Sequence, residues 1–177
     1  MLRLLICFFL ISFTLVSHGQ KGHLFVTNFT LQDQNIGNLN YSICQDTRGN
    51  MLFANQRGIF IFDGKTWEFI ETDGVPLVLK YNEDVDKVFV GCKGDYGYLK
   101  KGNFNNYSYE SLNTKQDSVG SVGHIMFEDS MVAFCSHFQV RKHPTKNLEG
   151  DPEVFQLDGM RFLGTFETHE GLMMNIP

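Results

Sequence analysis

The residues best suited to chemistry are the six histidines, since an imidazole can ligate a metal or act as a general base. No two of them have the close spacing of a zinc-binding helix or knuckle, and no cysteine joins them at ligand spacing. Asp84-Val85-Asp86 lacks the downstream glutamate of a calcium loop, and Gly120-Ser121-Val122-Gly123 lacks the Lys-Ser/Thr pair of a phosphate loop. The sequence therefore predicts no catalytic residue, no metal site and no cofactor, and we expect that the chain is not an enzyme.

Aromatic residues offer a second kind of chemistry, the recognition of a ligand by ring stacking. An aromatic ring presents an apolar face with a polar edge, which suits a sugar. The residues expected to contact such a ligand are Trp67, Tyr96 and Tyr98, with polar groups supplied by loops 45–50, 55–58, 93–97 and 136–139. We favour packing between blades as the role of these rings, because the large aromatic residues alternate along strands, and ligand contact is the alternative.

Trp67 belongs to a unit, Tyr41 to Phe69, that predicts four short antiparallel strands. Small and polar residues mark its three turns, at 46–49, 55–58 and 63–64. Asp63-Gly64 is typical of a two-residue hairpin, in which both central residues need positive φ. The unit therefore has the size of one four-stranded sheet.

Weaker copies of this unit follow along the chain. Comparable apolar runs begin at Leu52, Val88, Val132 and Leu172, about forty residues apart, and an acidic turn precedes each. A strand–turn–strand pattern with this period is typical of a β-propeller, whose blades are four-stranded antiparallel sheets. We therefore predict an all-β protein, an incomplete β-propeller over 41–177 with about three and a half blades. The predicted blades are 41–76, 77–118, 119–158 and a truncated 159–177.

Residues 1–19 are typical of a signal peptide. Arg3 gives the positive start, Leu4–Val16 is an apolar stretch, and Ser17-His18-Gly19 provides small residues at the cleavage site. A membrane-spanning helix needs about twenty apolar residues, so we predict export and no membrane span in the mature chain. Residues 20–40 then predict a short strand, beginning at Leu24, and a polar loop.

The composition excludes some classes of partner and fold. The net charge is −5 without a basic cluster, which is not typical of a protein that binds nucleic acid. A hydrophobic content of 42% excludes a disordered chain and is enough for a packed core.

Three cysteines remain after the signal peptide: Cys44, Cys92 and Cys135. Each lies in an apolar run that predicts a strand, where a free cysteine behaves as a small hydrophobic residue. We favour buried free thiols, and one disulfide is the alternative in an oxidising compartment.

The central unit resembles the two-component regulator propeller repeat of bacterial sensors. The matching residues are Ile43, Gln45-Asp46, Gly49, Phe53, Asn55, Gly58-Ile59, Phe62-Asp63-Gly64 and Trp67, then Val90-Gly91, Gly94 and Tyr96-Gly97-Tyr98-Leu99, and later Phe166-Glu167-Thr168 and Glu170-Gly171-Leu172. Tyr41 departs from the pattern, because a tryptophan is common at its position. The resemblance implies a periplasmic location and the sensor part of a longer regulator, with a membrane span and a kinase or DNA-binding output in later domains.

We expect an exported propeller segment that recognises a ligand, in some members of the family a glycan fragment, and passes the signal to downstream domains of the same protein. A homodimer of the full protein is a further expectation. Two alternatives stay open, namely a propeller lyase or hydrolase with a site built from several blades, and a scaffold for another protein. Propellers have about four to eight blades, so this sequence is interpreted as an N-terminal part.

Overall fold

The computed structural model describes residues 37–102, 106–113, 117–156, 164–168 and 171–175, the last two ranges as backbone. The predicted signal peptide, 1–19, lies outside the described residues, and so does the predicted strand at Leu24. Every regular element within the described ranges is a β-strand. Across those same residues there is no helix of a length and apolarity that would cross a membrane.

The first sheet comes from the unit in which the sequence predicted four strands. The strands are β1 (Asn40–Gln45), β2 (Met51–Asn55), β3 (Gly58–Phe62) and β4 (Trp67–Ile70). They pair antiparallel in the order β1-β2-β3-β4. The prediction of one four-stranded antiparallel sheet between residues 41 and 69 is confirmed.

Two further four-stranded sheets follow with the same topology among the described residues. The second sheet holds β5 (Pro76–Asn82), β6 (Lys87–Cys92), β7 (Tyr96–Lys101) and β8 (Tyr107–Ser111). The third sheet holds β9 (Val122–Glu128), β10 (Met131–Ser136), β11 (Gln139–Pro144) and β12 (Glu153–Gln156). A final antiparallel pair is formed by β13 (Gly164–Thr168) and β14 (Gly171–Asn175). Each strand pairs with its neighbour in sequence, so short turns suffice to build every sheet.

The turn at Asp63-Gly64 differs from the two-residue hairpin that the sequence predicted. Four residues, 63–66, connect β3 to β4, and only Gly64 among them has positive φ, at 95°. The Asp63 carboxylate accepts hydrogen bonds from the backbone amides of Lys65 and Thr66, at 2.8 and 2.7 Å. The aspartate therefore caps a longer loop instead of occupying a left-handed position.

The three sheets pack side by side through their first strands. β1 contacts β5, and β5 contacts β9, whereas contacts between the outer strands are sparser. Aliphatic side chains fill the space between the first and second sheets, and aromatic side chains fill much of the space between the second and third. This radial arrangement is that of a β-propeller, and the described sheets form an incomplete one.

The apolar runs that begin at Leu52 and Val88 do fall on equivalent second strands, β2 and β6. Their side chains do not face the same way, however, because Leu52 and Val88 both lie in the core between the first and second sheets. Leu52 thus points forward, towards the second sheet, and Val88 points backward, towards the first sheet. Side chains alternate along a strand, so the repeat alignment made from the sequence is displaced by one residue between these two sheets.

Candidate functional site

Tyr96 was predicted to contact a ligand, and its ring lies in the core between the second and third sheets. It is fully buried, and its ring centroid is 4.7 Å from that of Phe134. Its hydroxyl lies 3.2 Å from Nε2 of His143, which is also buried. The face of the Tyr96 ring is therefore covered by protein on the sides where a sugar would stack.

Tyr98 was the second predicted residue, and it is half-buried at the edge of a cleft of about 550 Å³. This space, which we call the second cleft, separates the outer strands of the second sheet from those of the third. Its lining includes Tyr98, Lys100, Glu110, Leu112, Asn113, Asp117, Arg141, Glu149, Asp151 and Val154. The cleft exists because radially packed sheets diverge towards their outer strands, so side chains there do not close the gap.

Ion pairs organise the polar groups of the second cleft. Arg141 lies at its inner side with only 7% of its side chain exposed, and its Nη2 is 3.3 Å from an Asp117 carboxylate oxygen. Its Nε donates a hydrogen bond of 3.1 Å to Oε1 of Gln139, which fixes the guanidinium further. Lys100 pairs across β7 and β8 with Glu110 at 3.4 Å. The cleft therefore combines a partly exposed ring with one buried guanidinium, whose position is fixed by Asp117 and Gln139.

Trp67, the third predicted residue, lines a different cleft of about 410 Å³. This first cleft lies between the first and second sheets and also includes Arg48, Asn50, Asp63 and Tyr107. Its ring packs on Phe62 and Phe53, with centroids 4.6 and 5.5 Å away, on the face of β4 that it shares with Phe69. The three predicted residues are thus distributed between two clefts and a core, and they do not form one site.

The predicted loops are also divided between two ends of the sheets, because successive turns of an antiparallel meander alternate between ends. Loop 45–50 contributes Arg48 and Asn50 to the first cleft. Loops 55–58, 93–97 and 136–139 lie at the opposite end of their sheets. A ligand that contacts all four loops is excluded by this topology.

Asp46 has a larger role than the turn that its sequence position predicted. Its side chain is fully buried and accepts hydrogen bonds from the backbone amides of Arg48 and Asn50, both at 2.9 Å. It also accepts one from the hydroxyl of Tyr107, at 2.8 Å, which belongs to the second sheet. Burial acts to raise the pKa of Asp46, but the hydrogen bonds from Tyr107, Asn50 and Arg48 outweigh it and lower the pKa below its ordinary value.

No sequence motif marked Arg141 and Asp117 as cleft residues. They are 24 positions apart in sequence, and they meet because β11 of the third sheet contacts the loop that follows β8 of the second. An arginine in a short strand is ordinarily assigned to the surface, yet Arg141 is buried. Only the alternation of β11, which places Arg141 on the same face as buried His143, hinted that its side chain points inward.

The histidines do not assemble a metal centre in the part of the chain that the structure describes. No group of three or more His, Cys, Asp or Glu side chains in those residues is arranged to hold a metal ion. His143 contacts Tyr96, and burial, with a smaller contribution from the charge of Arg141, lowers its pKa. Its Nδ1 is buried without a hydrogen-bond partner.

The fold class defined by these sheets is that of the β-propeller proteins. Among solved structures, the chain is similar to YCF48 from Cyanidioschyzon merolae, with a TM-score of 0.53 and 13% sequence identity. The similarity covers 76% of this chain and 49% of the YCF48 chain, so the sequence spans about half the length of that structure. At this identity the likeness shows the fold alone. No family model matches the sequence, and no curated protein matches it either.

Proposed function

We propose that this chain is the ligand-recognition segment of an exported bacterial regulator of the two-component type, and that it binds a sugar in the second cleft. The observation that carries the proposal is the position of Tyr98. Its ring is half-buried at the edge of a cleft of about 550 Å³, which is also lined by the amide of Asn113 and by the guanidinium of Arg141, paired with Asp117. Clefts with a partly apolar lining and a few fixed polar groups are the usual setting for small-ligand binding. The resemblance to sensor propellers supports the regulator assignment.

A ligand in this cleft would contact two sheets at once, because Tyr98 belongs to the second sheet and Arg141 to the third. A ligand shifts a conformational equilibrium only by the difference between its affinities for the two states. Binding that spans both sheets favours one spacing between them over others. In this proposal the change in spacing is the signal that passes to the downstream domains of the full regulator.

Calorimetry of the folded chain against a panel of neutral, basic and acidic oligosaccharides tests the proposal. Tyr98→Leu keeps apolar volume in the core between the sheets and removes the ring. We expect it to weaken binding roughly tenfold, which corresponds to the loss of one aromatic contact. The matched control is Tyr41→Leu, since Tyr41 is 49% exposed and lies on the first sheet, away from the cleft. Equal affinity of the Tyr98→Leu variant and the original chain would refute the site.

A protein-interaction scaffold is the second candidate, and one observation favours it. The face of the first sheet that points away from the second sheet exposes several large apolar side chains: Leu39, Tyr41, Ile43 and Phe69. Adjacent exposed apolar residues of this kind often mark contacts with another protein. Ile43→Lys places a charge in the centre of this face and is expected to abolish capture of a partner from a periplasmic fraction without changing sugar binding. Capture that survives the substitution would refute this face as the contact surface, and the absence of any captured partner with the original chain would remove the candidate.

A further inference from the structure

Arg141 is a buried cation at the inner wall of the second cleft. Only 7% of its side chain is exposed, although the residue lines the cleft. A buried charge is costly unless it is paired, so the guanidinium needs a carboxylate in contact with it. The hydrogen bond from its Nε to Gln139 supplies a neutral acceptor and no charge. Gln139 thus fixes the orientation of the guanidinium, whereas the positive charge has to be balanced by another group.

The carboxylate that balances this charge belongs to Asp117, whose side chain is 51% exposed. It accepts a hydrogen bond from Nη2 of Arg141 at 3.3 Å. A carboxylate can also bond a guanidinium through two parallel N–H groups at about 2.7–2.9 Å, which is a stronger arrangement. The ion pair therefore joins a buried cation to a solvent-exposed acid through one long hydrogen bond.

The backbone of Asp117 is held independently of its carboxylate. Its amide donates a hydrogen bond of 3.2 Å to Oδ1 of Asn113, and its carbonyl accepts one of 3.1 Å from Nδ2 of the same side chain. Gln139 also binds this loop, because its Nε2 donates a hydrogen bond of 2.8 Å to the carbonyl oxygen of Ser118. The Asp117 carboxylate can therefore turn towards solvent while the loop backbone keeps its position.

The other carboxylates of the cleft leave the guanidinium accessible to an acidic ligand. Glu110 is paired with Lys100 at 3.4 Å, and Glu149 and Asp151 are exposed to water, which screens their charge. A carboxylate that replaces Asp117 keeps the guanidinium paired with one negative charge. Asp117 then moves into water, where its charge is screened as well. An acidic ligand thus exchanges one ion pair for another at the buried end of the cleft.

We infer that the second cleft binds a sugar that carries a carboxylate, namely a uronic acid, and that this carboxylate takes the place of Asp117 on Arg141. The inference rests on the proposed function and adds the ligand class to it. Asp117 pairs with the guanidinium until the ligand enters, and the ring of Tyr98 contacts the sugar. Because Tyr98 lies on β7 and Arg141 on β11, one uronic acid oligomer would contact both sheets.

Tetramers of galacturonic acid and of mannuronic acid test the inference, together with the methyl esters of the same tetramers. Each is titrated into the folded full chain by calorimetry. An acid and its ester share rings and linkages and differ in the charge of the carboxyl groups. We expect at least one acid to bind roughly tenfold more tightly than its ester at low salt. The preference should shrink when the ionic strength is raised to about 0.5 M.

Asp117→Asn removes the carboxylate that the ligand has to displace. We expect this variant to bind the acidic tetramer roughly tenfold more tightly than the original chain does, and to bind the ester with unchanged affinity. A purely structural role of Asp117 predicts instead that its loss weakens binding or leaves it unchanged. The matched control is Glu149→Gln, which removes one negative charge from the same lining and leaves the pair of Arg141 with Asp117 in place. It should raise the affinity for the acid much less.

The outcomes separate the inference from the proposed function. If neither acid binds more tightly than its ester, or if Asp117→Asn and Glu149→Gln raise the affinity for the acid equally, the uronic acid inference is refuted. Sugar recognition then stands wherever another oligosaccharide binds. If no member of the neutral, basic and acidic panel binds while circular dichroism shows a folded chain, sugar recognition in this cleft is refuted, and the inference with it. The comparison of acid with ester uses the original chain, so it decides even where a variant does not fold.

Discussion

The hydroxyl of Tyr107 donates a hydrogen bond of 2.8 Å to the Asp46 carboxylate, across 61 positions of sequence. Asp46 lies in the turn between β1 and β2 of the first sheet, and Tyr107 begins the outermost strand of the second sheet. The side chain of Arg48 lies beside them, with its Nε 3.3 Å from the same carboxylate. One buried carboxylate thus joins two sheets whose shared core is largely apolar.

The loss of this hydrogen bond should be measurable as a loss of stability. Tyr107→Phe removes one donor from a buried carboxylate, and hydrogen bonds to charged groups contribute about 1.5–3 kcal/mol. We expect the free energy of unfolding, measured by urea denaturation, to fall by that amount. The control is Tyr41→Phe, which removes the hydroxyl of an exposed tyrosine. Equal stability of the two variants would contradict the role assigned to Tyr107.

Asp46 should also make the protein sensitive to acid. Its pKa is lowered in the folded state, so its contribution to stability is complete above the unfolded pKa of about 3.9 and is lost as the pH falls through the lower folded pKa. Asp46→Asn should be less stable near neutral pH and should lose less stability between about pH 4 and pH 2. Thermal unfolding followed across this range checks the prediction. Parallel curves for the variant and the original chain would refute it.

His143 should produce a second pH dependence at higher pH. Burial, aided by the nearby charge of Arg141, lowers its pKa, so the unfolded chain binds a proton more readily than the folded one. Its contribution is therefore complete above the unfolded pKa of about 6.5 and declines as the pH falls towards the folded pKa. We expect the urea midpoint to drop between about pH 7.5 and pH 5, and His143→Gln to flatten that drop. If the urea midpoint of His143→Gln falls with pH as steeply as that of the original chain, His143 is not the group responsible for the drop.

Gly91 should be intolerant of even a small side chain. A Cβ at this position would lie 2.7 Å from side-chain carbons of Val78 and Val122 and 2.8 Å from the backbone oxygen of Val122. Gly91→Ala is therefore expected to force the second and third sheets apart, at a cost of about 1–3 kcal/mol. Gly123→Ala is the matched control, since a Cβ there has no neighbour within 4 Å. The difference between the unfolding free energies of the two variants measures the cost of placing a methyl group where the second and third sheets are in close contact.

The three described cysteines are free and should react slowly with thiol reagents. Burial raises the pKa of Cys44 and of Cys92 to about 12 and that of Cys135 to about 11. Alkylation requires the thiolate, which is scarce at pH values well below these. We expect iodoacetamide at about pH 8 to label all three only after denaturation, as read by mass spectrometry of the individual peptides. Rapid labelling of the native chain at Cys92 would contradict its burial.

Turn chemistry and alternation explain how far the sequence predicted the fold. Gly49 has φ of 84° and closes the first turn at the position where a glycine was expected. The same reasoning failed at Asp63, because an aspartate that bonds its own following amides is equally compatible with a longer loop. It also misaligned Leu52 with Val88, since the turns before β2 and β6 differ in length and the alignment contained no information about which face is inward.

The candidate site was harder to predict than the strands. Tyr96 and Tyr98 lie two positions apart on β7 and so share one face of the sheet, as alternation requires. Their difference in burial depends on how far the third sheet extends over that face, which is a tertiary relationship. The pairing of Arg141 with Asp117 is likewise absent from any local pattern, because it arises only when two sheets meet.

The pairing of every described strand with its neighbour in sequence has a consequence for the order of folding. Each four-stranded sheet can form from local encounters, for which the entropy of loop closure is small. The bond between Asp46 and Tyr107 closes a much longer loop, so it forms after the sheets that it joins. The rate of folding should therefore depend on the hairpin turns. The rate of unfolding should depend on the hydrogen bond between Tyr107 and Asp46, because it forms late in folding. Breaking the hydrogen bond to this carboxylate would then be one of the first steps by which the two adjacent sheets separate.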